Sequence, residues 1–152
     1  MKMQVMKKIH PPTHLLIYIV VSVLLHFLYP LHQLIRFPYT LLGIILIAAG
    51  AVLNVWADGI FKKQNTTVKP FEKPDALVNS GPYRISRNPM YLGMVLILFG
   101  VSFILGSLIS FAGPIFFIIA MERVFIPEEE KSMKENFGDE YFIYKRKIRK
   151  WI

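Results

Sequence analysis

The stretch between Arg87 and Glu122 contains no charged side chain, and this run constrains the fold more than any other feature of the sequence. A helix that crosses a bilayer needs about 20 mostly apolar residues, so the run is too long for a single span. Gly106, near its middle, is typical of a turn. The run therefore predicts a tight hairpin of two transmembrane helices, at about Met90–Leu105 and Leu108–Phe125, each near the minimum length for crossing.

Two further apolar segments precede this run, at about His14–Tyr29 and Pro38–Ala57. The first follows basic residues, as in a signal peptide, but no small-residue cleavage site comes after it, so we interpret it as a retained span. Apolar residues make up 54% of the chain, more than a soluble domain of this size buries. The sequence predicts an all-α, polytopic transmembrane protein of about four spans that forms one integral membrane domain over residues 1–152. Two N-terminal spans would occupy residues 1–60. Residues 61–152 would contain the connecting loop, the hairpin and a C-terminal segment.

The lysines and arginines lie almost entirely at one end of these spans. They form three groups: Lys2, Lys7 and Lys8; Lys62, Lys63, Lys69, Lys73, Arg84 and Arg87; and Lys131, Lys134, Lys145, Arg146, Lys147, Arg149 and Lys150. The opposite side holds only Arg36, so the positive-inside rule predicts that both termini and the middle loop are cytosolic. This placement explains the net charge of +8 better than a nucleic-acid surface would, so we expect membrane lipids and no nucleic acid as partners. The compact chain favours a prokaryotic cytoplasmic membrane.

Because there is no cysteine, disulfides, a thiolate nucleophile and a cysteine metal site are excluded, and we expect no metal.

The polar parts of the chain are predicted to lie on the same cytosolic side. The connection at residues 59–89 is rich in turn-forming residues, which predicts a structured loop. Pro127 followed by Glu128–Glu130 is typical of the first turn of a helix. The Phe-Gly-Asp sequence at 137–139 predicts that this helix stops and restarts. The basic and aromatic segment Glu140–Ile152 is predicted to be amphipathic and to lie along the lipid headgroups, with its aromatic residues at the interface.

Two polar clusters flank the predicted hairpin, Gly81–Gly93 before it and Glu122–Arg123 with Pro127–Glu130 after it. Because a hairpin brings its ends together, we expect cations from one cluster to face carboxylates from the other in a pocket at the membrane surface. Charged groups at that depth are costly, which makes them candidates for function. Each also has a structural interpretation: the arginines set topology, the tyrosines form an interfacial belt, and Asn88 with Pro89 begins a helix. From the residues alone, the sequence predicts a membrane protein with a cytosolic polar pocket.

The run Leu77–Gly93, with the sequence L-V-N-S-G-P-Y-R-I-S-R-N-P-M-Y-L-G, resembles the signature of bacterial isoprenylcysteine carboxyl methyltransferase-like proteins. Downstream, Pro127–Glu130 and then Phe137–Tyr144 resemble the glutamate pair and the F-G-x-E-Y-x-x-Y ending of the same family. The resemblance covers roughly residues 61–151. It implies transmembrane helices with a cytosolic cofactor pocket in the C-terminal half. The family is similar in that half to phospholipid methyltransferases and, more distantly, to NADPH-dependent sterol reductases.

The resemblance implies an S-adenosylmethionine-dependent methyltransferase whose acceptor is hydrophobic or lipid-like. It implies cofactor contacts from Tyr83, Arg84, Arg87, Asn88, Pro89, Tyr91, Gly93, Glu129, Glu130, Tyr141 and Tyr144. Carboxylates suit the cationic groups of this cofactor, and arginines suit its carboxylate. The candidate catalytic residues are Arg87 and Arg123, the second because it could steer an anionic acceptor. Many family members have histidine where this chain has Asn88; since asparagine does not titrate near neutral pH, we expect it to orient the cofactor.

Several functions stay open at this point. The acceptor could be an isoprenylcysteine-like carboxylate, an amino-phospholipid, another isoprenoid, or a small thiol or amine. An NADPH-dependent reductase of the sterol-reductase type is one rival, although the glutamates do not suit a polyanionic cofactor. A non-enzymatic membrane protein is the other, but transport would favour polar residues within the spans, and these contain little beyond Asn54 and some serines.

Overall fold

The computed structural model describes residues 10–29, 31–63 and 76–152. Within these ranges five α-helices follow one another: α1 (Pro11–Leu28), α2 (Leu42–Lys63), α3 (Pro89–Leu105), α4 (Ala112–Ala120) and α5 (Ile126–Lys147). Short 3-10 turns lie at Tyr39–Leu41, Gly81–Arg84 and Leu108–Phe111, and a π-helical turn, Met121–Phe125, joins α4 to α5. The described residues form no β-strand, which confirms the all-α prediction. The three N-terminal lysines and the part of the predicted loop that contains Lys69 and Lys73 lie outside the described residues.

Three helical segments of the described chain are long and apolar enough to cross a membrane, Pro11–Leu28, Tyr39–Lys63 and Leu108–Lys147. The fourth apolar helix, α3, has 17 residues and is ~26 Å long, close to the thickness of the hydrocarbon core. The 40-residue segment would measure ~60 Å, about twice that thickness. Its apolar part is residues 108–125, and the polar helix α5 lies beyond it. The predicted polytopic membrane fold is confirmed.

The predicted hairpin is present, with α3 as its first arm and residues 108–125 as its second. Gly106 ends α3 in the left-handed conformation, with φ of 71°, which favours glycine. Next to this turn, the hydroxyls of two buried serines link the arms: Ser102 Oγ donates to the carbonyl of Ser110 at 2.9 Å, and Ser110 Oγ donates to that of Ser102 at 3.2 Å. The backbone amides of Leu34 and Ile35 donate to the carbonyl of Gly106 at 2.8 and 3.0 Å, so the α1–α2 connection closes over the turn.

Glycines bring α2 and α3 into close backbone contact. A Cβ atom added at Gly93 would lie 2.8 Å from the carbonyl oxygen of Gly50, and one added at Gly100 would lie 2.6 Å from that of Gly43. On each helix the two glycines are seven residues apart and therefore share one face. Small residues of this kind let helices approach closely in a membrane, where packing replaces the hydrophobic effect as the driving force. This contact fixes the start of α3 beside α2.

The core lies between α1, α3 and the second arm of the hairpin. Leu98, Phe117, Met121 and Phe125 have no exposed surface. Two aromatic residues of α1 extend this core: Tyr18 meets Phe117 edge to face at 5.8 Å, and His14 meets Phe125 at 5.2 Å. By contrast, most apolar side chains of α1 and α2 are exposed, as a surface in contact with lipid tails would be.

Helix α5 folds back on itself at Gly138, where φ is 49° and ψ is −121°. This break confirms the predicted stop and restart. In a straight helix Lys145 would lie ~22 Å from Glu130, yet their side chains form an ion pair of 2.6 Å. Of the aromatic residues that we predicted at the lipid interface, Tyr141, Tyr144 and Trp151 pack against the protein instead, because each finds a polar partner there, whereas Phe142 is exposed.

Candidate functional site

A cavity of about 760 Å³ opens between α2, the beginning of α3 and the two halves of α5. The beginning of α1 contributes to its rim. The wall combines apolar, polar and charged side chains, and it includes Pro11, Asn54, Val55, Asp58, Tyr83, Arg87, Asn88, Pro89, Tyr91, Met94, Glu129, Glu130, Tyr141 and Tyr144. Cavities that bind small molecules have this size and this mixture of groups.

The segment before α3 positions Arg87 and Asn88. Asn88 precedes Pro89, which occupies the first turn of α3, but the asparagine side chain makes no capping hydrogen bond to the helix. Its Nδ2 donates instead to the carbonyl of Lys150 at 3.0 Å. Ser86 accepts from the backbone N–H of Asn88 at 3.1 Å and donates to the same carbonyl at 3.2 Å. Asn88 therefore occupies the position before the first turn of α3, as a helix cap would, but its side chain does not cap the helix.

Arg87 and Glu130 form a mostly buried ion pair, with Nη1 and Oε1 2.9 Å apart and side chains that are 9% and 19% exposed. The pair joins α3 to α5 across the hairpin ends, as the two-cluster pattern predicted. Lys145 contacts Oε2 of the same carboxylate, and Arg87 donates to the hydroxyl of Tyr141 at 3.4 Å. Arg87 Nε and Glu130 Oε1 are buried and make no hydrogen bond within the described residues, although Oε1 lies in ion-pair contact with Nη1. Such buried polar atoms are rare in proteins and can serve a ligand.

A second pair lies next to the first. The Tyr91 hydroxyl donates to Glu129 Oε1 at 2.5 Å. Burial raises the pKa of Glu129 to about 7, although the hydrogen bond from Tyr91 works in the opposite direction. Glu129 therefore changes its charge near neutral pH.

Three tyrosines enclose these pairs. The Tyr144 hydroxyl donates to the carbonyl of Tyr83 at 2.7 Å, which ties the second half of α5 to the segment before α3. Burial raises the pKa of Tyr83 and of Tyr144, and it raises the pKa of Tyr141 to about 12. All three hydroxyls are protonated at neutral pH and can act as hydrogen-bond donors.

Most of the residues that the sequence predicted as site residues line this cavity: Tyr83, Arg87, Asn88, Pro89, Tyr91, Glu129, Glu130, Tyr141 and Tyr144. Arg84, Gly93 and Arg123 do not. Arg84 is exposed on the 3-10 turn, and Gly93 lies in the contact between α2 and α3. Arg123 was predicted to steer an anionic acceptor, but it is exposed outside the cavity. Its neighbours Met121 and Phe125 fill the inward-facing positions of the π-helical turn, which turns Arg123 away from the protein.

Two cavity residues on α2, Asn54 and Asp58, were not predicted as part of the site. They are four residues apart and therefore lie on one face of the helix. Asn54 Oδ1 is buried and has no hydrogen-bond partner within the described chain. The sequence could have indicated these two residues, because an amide and a carboxylate one helical turn apart near the end of an apolar span are unusual.

Comparison with known proteins places this geometry in a family context. A family model of phospholipid methyltransferases matches residues 38–140. An uncharacterized protein of Haemophilus influenzae is 40% identical over 63 residues, which are 41% of this chain and all of that protein. The solved structure of the eukaryotic intramembrane Ras methyltransferase ICMT (isoprenylcysteine carboxyl methyltransferase) superposes with a TM-score of 0.64 and 23% sequence identity. The match covers 93% of this chain and 51% of ICMT, so the chain spans about half the length of that enzyme, and at this identity the likeness shows a shared fold.

Proposed function

The chain belongs to the phospholipid methyltransferase family, and we propose that it transfers a methyl group from S-adenosylmethionine to a hydrophobic or lipid-like acceptor at the cytosolic face of a membrane. The family and the fold support a membrane methyltransferase. The observation that carries the choice of methyl donor is the pair of carboxylates, Glu129 and Glu130, held beside Arg87 in an otherwise largely apolar cavity.

The residues present fit this cofactor. S-adenosylmethionine carries two cationic groups, the sulfonium and the α-amino group, and one carboxylate. Glu129 and Glu130 provide negative charge for the cations, and Arg87 provides a positive charge for the carboxylate. Arg87 Nε adds a buried donor that makes no hydrogen bond within the described residues, and Glu130 Oε1, although ion-paired with Arg87 Nη1, also makes none. Tyr83 and Tyr141 add hydroxyl groups to the wall.

When bound, S-adenosylmethionine would supply an electrophilic methyl group to a nucleophile of the acceptor, and the sulfur would leave as a neutral thioether. The contribution of the protein to such a displacement is to position the reactants and to exclude water. Tyr91 fixes the carboxylate of Glu129 through its hydrogen bond, and Lys145 and Arg87 fix that of Glu130. These contacts hold the charges of the cavity in place before any ligand arrives, which reduces the cost of ordering them on binding.

The apolar part of the cavity wall suits an apolar acceptor. Pro11 at the start of α1, Val55 on α2 and Met94 on α3 line it. Helices α1 and α2 both pack against α3, and the cavity is bordered by both of them. We infer that an acceptor reaches the cavity from the bilayer between these two helices, with its apolar part in the lipid and its reactive head next to Asn54.

Isothermal titration calorimetry of the purified full chain in detergent tests the choice of donor. We expect S-adenosylmethionine to bind and NADPH not to bind. We expect Glu130→Gln to weaken S-adenosylmethionine binding at least tenfold, because it removes a negative charge that would face the cationic groups of the ligand. Asp139→Asn is the matched control, since Asp139 is exposed and outside the cavity, and it should bind as the unmodified chain does. Absence of binding by the unmodified chain, or tighter binding of NADPH, would contradict the proposed function.

A further inference from the structure

The last residues of the chain lie against the segment that begins α3. Helix α5 ends at Lys147, and Ile148 is extended, with φ of −115° and ψ of 130°. We name residues 148–151 the C-terminal strap. The backbone N–H of Arg87 donates to the carbonyl of Arg149 at 3.0 Å, and Ser86 and Asn88 both donate to the carbonyl of Lys150. We propose that the strap is a positioning element that orients Arg87 and Asn88 in the cavity, and that Glu122 acts on the cavity by anchoring the strap; this inference rests on the proposed function.

The strap sets the direction of the Asn88 side chain. An asparagine before the first turn of a helix commonly accepts a hydrogen bond from the helix backbone. Here the Nδ2 group donates to Lys150 instead, so the orientation of the amide depends on the strap. The backbone of Arg87 is held in the same way through Arg149. Two adjacent cavity residues therefore owe their position to two successive carbonyls of the strap.

Glu122 holds the strap from the other side. Lys150 Nζ lies 2.8 Å from Glu122 Oε2, and Trp151 Nε1 donates to Oε1 at 2.6 Å. Hydrogen bonds to a charged group are stronger than neutral ones, and this carboxylate receives two, one of them from a cation. The Trp151 side chain also packs against the buried core that includes Phe125 and Met121.

The π-helical turn explains how a carboxylate reaches the strap from the end of an apolar arm. Its five residues, Met121–Phe125, form a wide turn of a type found often at functional sites. Met121 and Phe125 remain in the core, while Glu122, which does not line the cavity, is directed to the strap. Glu122 is therefore a positioning residue, and the contacts run from Glu122 through Lys150 to Ser86 and Asn88.

The start of α3 is also held by contacts that do not involve the strap. The glycine contacts with α2 hold the helix, and Pro89 is fully buried at its first turn. Removing the strap should consequently change the orientation of the cavity residues more than the stability of the helical bundle. This difference separates a positioning role from a structural one.

The test compares two shortened chains with the full one. A chain that ends at Arg149 lacks the Lys150 carbonyl and both contacts to Glu122, whereas a chain that ends at Trp151 lacks only Ile152, which is 70% exposed. We expect the first to bind S-adenosylmethionine at least tenfold more weakly by calorimetry, and the second to bind as the full chain does. The thermal midpoint of the ligand-free protein should change by no more than a few degrees in either.

Substitutions at Glu122 provide a second measurement in the full-length chain. Glu122→Ala removes both contacts to the strap and should weaken cofactor binding several-fold. Glu122→Gln keeps an oxygen that can accept from Trp151 and should restore part of the affinity, a pattern that general destabilisation would not produce.

The possible outcomes separate the two proposals. Unchanged affinity in a folded chain that ends at Arg149 would overturn the role of the strap and leave the proposed function intact. The same applies if affinity falls only in parallel with the thermal midpoint. A full-length chain that binds no S-adenosylmethionine would overturn the proposed function, and the positioning role of the strap with it.

Discussion

The charge of Glu129 should make S-adenosylmethionine binding depend on pH near neutrality. Burial raises the pKa of this carboxyl from its ordinary value of 4.5 to about 7, and the nearby hydrogen bond from Tyr91 only partly offsets the effect. A cationic ligand beside Glu129 interacts favourably with the ionised form alone. Binding should therefore strengthen as the pH rises through 7.

The size of the effect follows from the ionised fraction. With a pKa of about 7, roughly one tenth of Glu129 is ionised at pH 6 and roughly nine tenths at pH 8. If binding requires the ionised form, the apparent Kd is the intrinsic Kd divided by this fraction. The affinity at pH 8 should therefore be about tenfold higher than at pH 6.

Calorimetric titration at pH 6, 7 and 8 in one detergent measures this dependence. The α-amino group of the ligand also titrates, at about pH 8, so its contribution to the pH dependence must be separated from that of Glu129. Glu129→Gln does so, because its amide does not ionise while the ligand is unchanged. We expect this variant to lose the tenfold difference, whereas Asp139→Asn should keep it.

The stability of the ligand-free protein should change in the opposite direction. Between pH 4.5 and about 7 the folded chain retains a proton on Glu129 that the unfolded chain has released. The contribution of this group to stability is therefore present below pH 4.5 and is lost as the pH rises through about 7. The reasoning would be refuted by an affinity that does not change with pH, or by the same pH dependence in Glu129→Gln.

Three further predictions concern packing, the tyrosine partner and the residue left outside the cavity. Gly50→Ala should lower the thermal midpoint of unfolding by several degrees, because the new Cβ would overlap a backbone oxygen of α3, whereas Gly59→Ala, with nothing within 4 Å, should raise it slightly through its better helix propensity. Tyr91→Phe removes the hydrogen bond that lowers the pKa of Glu129, so the midpoint of the pH-dependent binding should move to higher pH; an unchanged midpoint in calorimetry would speak against the contact. Arg123→Ala should leave the affinity for S-adenosylmethionine within about twofold, since the side chain is exposed outside the cavity, and a larger loss would show that it reaches the cofactor.

The elements that depend on local chemistry could be predicted from the sequence. A charge-free run longer than one span, interrupted by Gly106, can satisfy its backbone in a membrane only as two helices. The break at Gly138 also follows from one residue, because its φ of 49° is readily adopted by glycine. The two clusters at the hairpin ends meet because the turn is short, and for this reason Arg87 could be predicted to face Glu130.

Residues whose role depends on helix rotation could not be predicted in this way. The orientation of Arg123 depends on the π-helical turn, and a sequence gives no signal for one extra residue in a turn. Gly93 ends the motif that suggested the cofactor site, yet it serves the contact with α2, which depends on the seven-residue spacing of the glycines on both helices. Asn54 was visible as a polar residue within a span, but only the packing of α2 on α3 shows that it lines the cavity.

The strap could not be predicted, for a different reason. Its contribution to the cavity consists of the backbone carbonyls of Arg149 and Lys150, and every residue carries a backbone carbonyl, so the sequence does not mark these two. The basic composition of the segment pointed to lipid headgroups. The side chains of Lys150 and Trp151 instead find the carboxylate of Glu122.

Transfer of a labelled methyl group tests the central proposal most directly. Membranes that contain the full chain would be incubated with S-adenosylmethionine labelled in its methyl group, and the products would be separated and identified by mass spectrometry. We predict label in a hydrophobic or lipid-like product, and loss of most of that label with Glu130→Gln but not with Asp139→Asn. No labelled product above membranes that lack the protein, or equal labelling by the Glu130→Gln chain, would contradict the account.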